Sequence, residues 1–357
     1  MNMISILLNR IKLDKVNETL LRLLIALCGH KIARTSRRYD SSSQKTVLNA
    51  TLLLLGKGCS WAKESGAGCT MCGFKNVLSS IGIDREFRDE EVLRLFSLGM
   101  NALEKKHPRI LNIYNGGSFL NDEEISCNVQ TEIIKKIRRH DSIRTIFIES
   151  RPEFIEAEKL KKLTSLLAPK SLKIGIGLEA VTDRVRNDYV NKGVSRDAYE
   201  KAVRLAKTAK ARVLTYVLIK PLYLTEKEAI EEAIKTSKYA FGVGSDEVSF
   251  ESACIQKGTR MGELFSHGKY RPPWLWSVIE VIKAAHDLGN IQIGSFWDFP
   301  RPMAKPQNCR RCSARVERAL DDYRMNHELS VFNGLYCSCR KEWQKELTGT
   351  VRKCADK

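Results

Sequence analysis

With 357 residues, 43% of them hydrophobic and 29% charged, the chain is long enough for one large domain with an appendage and too apolar to be a disordered tail. A formal charge of +18 favours a polyanionic partner, nucleic acid or an anionic surface. The run Leu20–Leu27 is interrupted by Arg22 and falls far short of the roughly 20 residues of a membrane span, so a membrane protein is not expected.

The basic excess is concentrated at the ends. Residues 1–58 hold ten Lys and Arg against three acidic residues, and residues 301–357 hold thirteen against seven. This predicts three parts: a basic helical extension over 1–45, a catalytic body over 46–300, and a basic cysteine-rich module over 301–357. The lack of a convincing signal segment points to the cytoplasm. In a chain of this size the eleven cysteines read as metal ligands rather than disulfides, because seven of them cluster at 59–72 and 309–339.

Taken in chain order, short apolar runs predict strands at Thr51–Leu55, Ile110–Tyr114, Thr145–Ile148, Lys173–Leu178, Val213–Ile219 and Glu247–Glu251, with a further one at Ile291–Phe296. Helical patterns fall between them at Asp89–Lys105, Glu123–Arg139, Glu153–Leu167, Arg196–Ala209 and Thr225–Ala240. Alternation of this kind implies an α/β fold with a mostly parallel sheet, and six clear units suit a partial (β/α)6 barrel of TIM type. Ser41–Ser43 reads as a loop. Function in such a barrel collects at the C-terminal ends of the strands. Polar or Gly-rich residues follow each strand there: Cys59, Gly116-Gly117-Ser118, Glu149-Ser150-Arg151, Glu179, Lys220-Pro221, and then Glu251 and Gln256.

The first chemical motif is Cys59-x9-Cys69-x2-Cys72, in a loop containing Gly66 and Gly68. Three thiolates suit a [4Fe–4S] cluster with one iron left open to a ligand. A zinc knuckle lacking one ligand is the alternative. The second motif, Cys309-x2-Cys312 and Cys337-x-Cys339 across a 24-residue loop, suits a closed structural Zn²⁺ site or a second Fe–S cluster. His327, inside that loop, is expected to face solvent. Arg310, Arg311, Arg315, Arg318, Arg324, Arg340 and Lys341 make the module basic, as an RNA-backbone clamp requires. The rings of Tyr270, Trp274 and Trp276 either stack on bases with Arg271 or pack against the barrel.

Several of these segments resemble a known group. Gly58-Cys59, Cys69-Thr70-Met71-Cys72-Gly73-Phe74, Glu149-Ser150-Arg151-Pro152-Glu153, Gly177-Leu178-Glu179 and Lys192-Gly193 resemble the radical S-adenosylmethionine (SAM) group that includes the elongator catalytic subunit. Gly116-Gly117-Ser118-Phe119-Leu120, Lys220-Pro221-Leu222, Tyr270-Arg271-Pro272-Pro273-Trp274 and the cysteine-rich tail are similar to the archaeosine-forming radical SAM proteins (RaSEA) within it. The resemblance spans about residues 45–345. It implies a [4Fe–4S] cluster on Cys59, Cys69 and Cys72 that binds SAM and yields a 5′-deoxyadenosyl radical. Phe74 is then expected near the adenine, and Gly116, Gly117 and Ser118 near the SAM amino group. Glu149 and Arg151 are expected to contact SAM or substrate, and Glu179 the SAM ribose. An ordinary turn, a core Phe and surface ion pairs are the plain alternatives for these positions.

The resemblance further implies a tRNA substrate and cleavage of the lysine C–N bond in a lysine adduct of 7-cyano-7-deazaguanine, leaving archaeosine in the D-arm. It implies a complex with a lysine-transferring subunit, and a reduced ferredoxin or flavodoxin as electron donor. Elongator-like wobble-uridine chemistry and a non-catalytic Fe–S or zinc RNA-binding protein are the rival readings.

Overall fold

The computed structural model describes residues 33–74, 86–296 and 301–349. The predicted helix around Leu20–Leu27 lies outside them, as does the scattered Cys354. Among the described residues no helix is long and apolar enough to cross a membrane.

One eight-stranded sheet in sequential order forms an open half-barrel. Its strands are β1 (Ala33–Asp40), β2 (Lys45–Leu53), β3 (Ile110–Tyr114), β4 (Thr145–Glu149), β5 (Ser171–Glu179), β6 (Arg212–Ile219), β7 (Glu247–Ser252) and β8 (Asn290–Ile293). All neighbours from β2 onward are parallel, whereas β1 is antiparallel to β2. The central strands are near-continuous apolar runs because sheet and helices cover both faces. Helices α1 (Ser60–Glu64), α2 (Asp89–Leu103), α3 (Cys127–Arg138), α4 (Ala157–Leu167), α5 (Arg196–Thr208), α6 (Glu226–Val243), α7 (Arg260–Ser266) and α8 (Leu275–Ala285) lie between the strands, and α9 (Ser313–Asn326) and α10 (Arg340–Leu347) follow β8.

The N-terminal boundary differs from the expectation. Residues 33–45 are not a helical extension but a strand and its turn. Asp40 organises that turn, accepting hydrogen bonds from the hydroxyls of Ser42 and Ser43 at 2.7 and 2.6 Å. The Ser41–Ser43 loop is thus a hairpin. Its pattern was hard to read because β1 is largely exposed and carries charged residues.

The cysteine-rich segment packs onto the barrel. Its buried residues Cys312, Val316, Leu320, Phe332 and Trp343 belong to the same hydrophobic core as the barrel. Helix α9 spans the gap between β1 and β8. Thr46 Oγ1 donates to the Met325 carbonyl at 2.6 Å, and Arg324 Nε donates to the Ile293 carbonyl at 3.2 Å. His327 does not face solvent: it stacks on Tyr39 with ring centroids 4.5 Å apart, and its Nε2 meets the Ile291 carbonyl. Carbonyls at the sheet edge therefore find partners in the tail.

At the N-terminal ends of the strands, Lys173 of β5 pairs with Glu247 of β7 at 2.9 Å. Arg212 of β6 reaches the same carboxylate at 3.0 Å, and Ser41 Oγ donates to it at 2.8 Å. Lys173 and Glu247 are both buried. Removing the carboxylate leaves the buried Lys173 ammonium unpaired and takes the acidic partner from Arg212. Glu247→Ala should therefore lower stability by about 3–5 kcal/mol in urea unfolding. An unchanged urea midpoint would contradict this account.

Candidate active site

The loop after β2 turns at Gly58, whose left-handed φ of +76° suits glycine, and delivers Cys59 to the start of α1. Gly66 and Gly68 are also left-handed, and Gly68 N–H donates to Ser65 Oγ at 2.8 Å. Cys72 N–H then donates to the Cys69 carbonyl at 3.0 Å, a tight turn that sets two thiols on one bend. Distant segments hold the loop in place. Asn191 Nδ2 donates to the Gly68 carbonyl at 2.8 Å, Trp61 Nε1 to the Asn191 carbonyl at 2.9 Å and Thr70 Oγ1 to the Tyr189 carbonyl at 2.8 Å. Met261 N–H of α7 donates to the Thr70 carbonyl at 3.0 Å.

The three thiols are half-buried and act electrostatically on one another. Burial pushes Cys72 up to about 12, with Cys69 adding to the effect, and burial also raises Cys59 and Cys69. Lys192 and Arg151 oppose this by favouring the thiolate of Cys69. Among the described residues the four tail cysteines are the group gathered as a single-ion site. Three mutually interacting thiols on one loop supply the ligand number for a cluster with one iron left open.

Glu124, which the sequence reading placed inside a helix, fastens this loop to the next one. It is buried, and its Oε1 accepts from Ser60 N–H and Ser60 Oγ, both at 2.9 Å. Its Oε2 accepts from Ser118 N–H at 2.5 Å and from Asn115 Nδ2 at 3.3 Å. Gly117 has to be glycine here, because a Cβ would lie 1.9 Å from Glu124 Oε2 and 3.1 Å from the Cys59 Cα. Gly116, with φ of +69°, packs beside Phe74, whose Cβ would be 3.6 Å from an added Cβ. Phe74 is 40% exposed and is not a core residue. The structure thus brings together the two segments expected to bind SAM. Asn115 Oδ1, next to Gly116, is buried and has no protein partner, so it is an acceptor available to a donor on a bound group.

β4 ends at Glu149, so strand alternation does not extend to Arg151. The chain turns into a short 3-10 segment, Pro152–Phe154. Arg151 donates to the carbonyls of Lys192 and Gly193 at 2.8 and 3.2 Å and lies 4.8 Å above the Trp61 ring. Ser118 Oγ accepts from Arg151 N–H at 3.1 Å. Both residues hold loops together. Glu179 ends β5 with φ of +65° and pairs with Lys192 at 2.8 Å. Burial alone would lower the Lys192 pKa, but Glu179 and Cys69 hold it above its ordinary value.

Inside the barrel, Tyr216 OH donates to Glu149 Oε1 at 2.6 Å, and Ser249 Oγ donates to Glu251 Oε1 at 2.7 Å. Burial pushes the Glu149 carboxyl up to about 7, with Glu251 and Glu179 adding to the rise and Tyr216 and Lys192 opposing it. Burial also raises Glu251. Tyr216 and Lys192 were missed as site residues, Tyr216 because a mid-strand tyrosine reads as sheet packing. Glu251 was legible as a strand-end acid. Gln256 covers the cluster loop, since a Cβ on Gly73 would lie 2.6 Å from its Cγ.

In the tail, Cys309 Sγ lies 3.8 Å from Cys312 and 3.5 Å from Cys337, and Cys312 lies 3.6 Å from Cys339. Thiolates around one tetrahedral ion at about 2.3 Å are about 3.8 Å apart, so the four fit one closed metal site. Trp276 and Trp274 are not free stacking rings. Trp276 is 3% exposed with its Nε1 3.5 Å from Cys339 Sγ, and Trp274 Nε1 donates to Glu346 at 3.0 Å. Arg310, Arg311, Arg315, Arg318 and Lys341 are exposed, whereas Arg324 and Arg340 are engaged with the barrel and with Trp276 and Trp343.

An open half-barrel of parallel strands with three converging cysteines after the first of them is the arrangement of a radical SAM protein. No family model matches the chain. It is 30% identical to archaeosine synthase subunit beta of Methanosarcina acetivorans over 83% of this chain and 84% of that protein. It is also 30% identical to archaeosine synthase subunit beta of Thermococcus kodakarensis over 85% of this chain and 93% of that protein. The chain belongs to the archaeosine synthase subunit beta family. Similar solved structures include Elp3 of Methanocaldococcus infernus (15% identity, 65% of this chain and 59% of that one, TM-score 0.46). A radical SAM methyltransferase of Sphaerobacter thermophilus is another (13% identity, 86% and 84%, TM-score 0.46).

Two tests follow from this geometry. Gly117→Ala forces a methyl into the Glu124 carboxylate and should cost about 1–3 kcal/mol in urea unfolding; an unchanged midpoint would remove the Glu124 contact from the account. The folded protein also keeps the Glu149 proton above the pH at which the unfolded chain, near 4.5, releases it. Stability is therefore lost as pH rises from about 4.5 to about 7, and the penalty is full above that. The melting temperature of Glu149→Gln relative to wild type should increase between about pH 5 and pH 8, and a pH-independent difference would contradict the raised carboxyl.

Proposed function

We propose that this protein is a tRNA-modifying radical SAM enzyme that completes archaeosine by cleaving the lysine C–N bond of a lysine adduct of 7-cyano-7-deazaguanine in tRNA. The observation that carries this reading is the likeness to two archaeosine synthase beta subunits along more than four-fifths of the chain. The charge of +18 suits an RNA substrate.

In this reading Cys59, Cys69 and Cys72 hold the [4Fe–4S] cluster, and Cys309, Cys312, Cys337 and Cys339 hold a structural Zn²⁺. A cluster and SAM bound there would supply the hydrogen-abstracting radical chemistry that this cleavage requires. Phe74, Gly116, Gly117 and Glu179 border SAM, with the Asn115 carbonyl oxygen free to accept from its ammonium. Ser118 and Arg151 are positioning residues acting through the loops they join. Glu149 and Glu251, with Tyr216, face substrate; buried carboxylates suit the cationic amine of a lysine moiety. The protein works in the cytoplasm with a lysine-transferring subunit and takes its electron from a reduced ferredoxin or flavodoxin.

Anaerobically reconstituted protein given SAM, a reductant and lysine-adduct tRNA should release 5′-deoxyadenosine and form archaeosine. Absence of both products with an intact cluster sinks the proposal, and modification of wobble uridine instead would redirect it to elongator-like chemistry. Metal analysis should find one four-iron cluster and one zinc per chain. Cys309→Ser with Cys312→Ser should lose the zinc and keep the iron; loss of iron alone would reverse the two assignments.

A further inference from the structure

Among the described residues the exposed large apolar side chains are Phe74, Tyr223, Met303 and Tyr336. Tyr223 stands at the mouth of the half-barrel, four residues past the end of β6, and is 54% exposed. Its φ is +66° and that of Lys220, in the same turn, is +67°. A left-handed tyrosine is unfavourable by itself and persists only where its surroundings impose it. The constraint is the neighbouring Leu222, which is 1% exposed and sits in a small apolar cluster with Val190, Met261 and, partly buried, Cys69 and Met71. Leu222 pins the turn under the cysteine loop, and the next residue turns its ring outward.

That ring does not stand alone. Tyr189 meets it edge-on, with centroids 5.1 Å apart and planes at 68°. The Arg184 guanidinium lies 5.4 Å from the Tyr189 ring, and Arg260, ion-paired with Glu263 at 2.8 Å, also interacts with the Tyr223 hydroxyl. The Tyr189 carbonyl accepts the hydrogen bond of Thr70, which lies between Cys69 and Cys72. The aromatic pair is thus one hydrogen bond from the cluster loop. Exposed Asp183, Asp188 and Glu263 lie in the same segments, so the local charge is near balance and the distinctive feature of the patch is its exposed π surface.

We propose that Tyr223, backed by Tyr189 and flanked by Arg184 and Arg260, is a stacking platform for an unpaired RNA base at the mouth of the half-barrel. The inference rests on the RNA-modifying reading above and adds where the RNA is held. A base within a folded arm must leave its stack to reach chemistry inside a barrel, and an aromatic ring with arginine neighbours at the entrance supports that unstacked state. Trp274 and Trp276 cannot do this, since both are packed under the tail. Backbone charge is met elsewhere, at the exposed arginines of the tail.

The test is tRNA binding by the reconstituted protein, read by fluorescence anisotropy across a salt series. Tyr223→Ala should weaken binding roughly 5- to 150-fold with no change in salt slope, and Tyr223→Phe should bind nearly as wild type. Ultraviolet crosslinking of wild-type protein to tRNA should label the peptide containing Tyr223, which keeps the proposal testable if the alanine protein fails to fold. Unaltered binding by Tyr223→Ala, an equal loss in Tyr223→Phe, or crosslinks confined to other peptides would overturn the platform while leaving the RNA-modifying reading intact. Failure of the wild-type protein to bind tRNA at all would overturn both.

Discussion

A carboxylate taken out of water needs a donor for each lone pair it turns inward. Glu124 meets this demand with Ser60, Ser118, Asn115 and Asn121, and the three contacts to Ser60 and Ser118 are the short ones. These donors come from the cysteine loop after β2 and from the glycine loop after β3. The position of Cys59 relative to Gly116 therefore follows from one buried charge. Gly117 is the steric counterpart, since any side chain there would displace the carboxylate. Arg151 repeats the device with the opposite charge, tying the exits of β4 and β5 to each other and to Trp61.

The two ends of the half-barrel use buried charge differently. At the N-terminal ends of the strands, the Glu247 carboxylate is paired with Lys173 and is also reached by Arg212. At the other end Glu149 and Glu251 have hydroxyl partners, and the nearby ammonium of Lys192 is engaged by Glu179. Neutralised charge serves stability. Carboxylates held by neutral donors keep capacity for a cation, at some expense in stability above neutral pH. The tail contributes to the fold as well as to surface charge, because α9 supplies partners to the open edges and Trp343 and Cys312 extend the barrel core.

Much of this was legible in the sequence. The β3 boundaries coincide with the predicted run, and the other central strands differ by a residue or two, because fully buried parallel strands leave uninterrupted apolar runs. β1 was not legible, being largely exposed and charged. The cysteines and strand-end residues stood out by residue type and position. Glu124 and Tyr216 did not, because an acid and a tyrosine are ordinary in helices and strands, and Lys192 was visible only as part of the Lys192-Gly193 segment, without a role.

The sequence by itself determined the alternation of strands and helices, the cysteine spacings, the basic ends and, through the resemblance, the family. These are local properties, set by periodicity and by ligand types a few residues apart. Only the tertiary structure decided that Ser60 meets Glu124, that His327 and α9 close the sheet, that Trp274 and Trp276 are packed away, and that Tyr223 stands out beside the cysteine loop. Those contacts join residues tens to hundreds of positions apart, and which buried charge finds which donor depends on how the whole half-barrel closes.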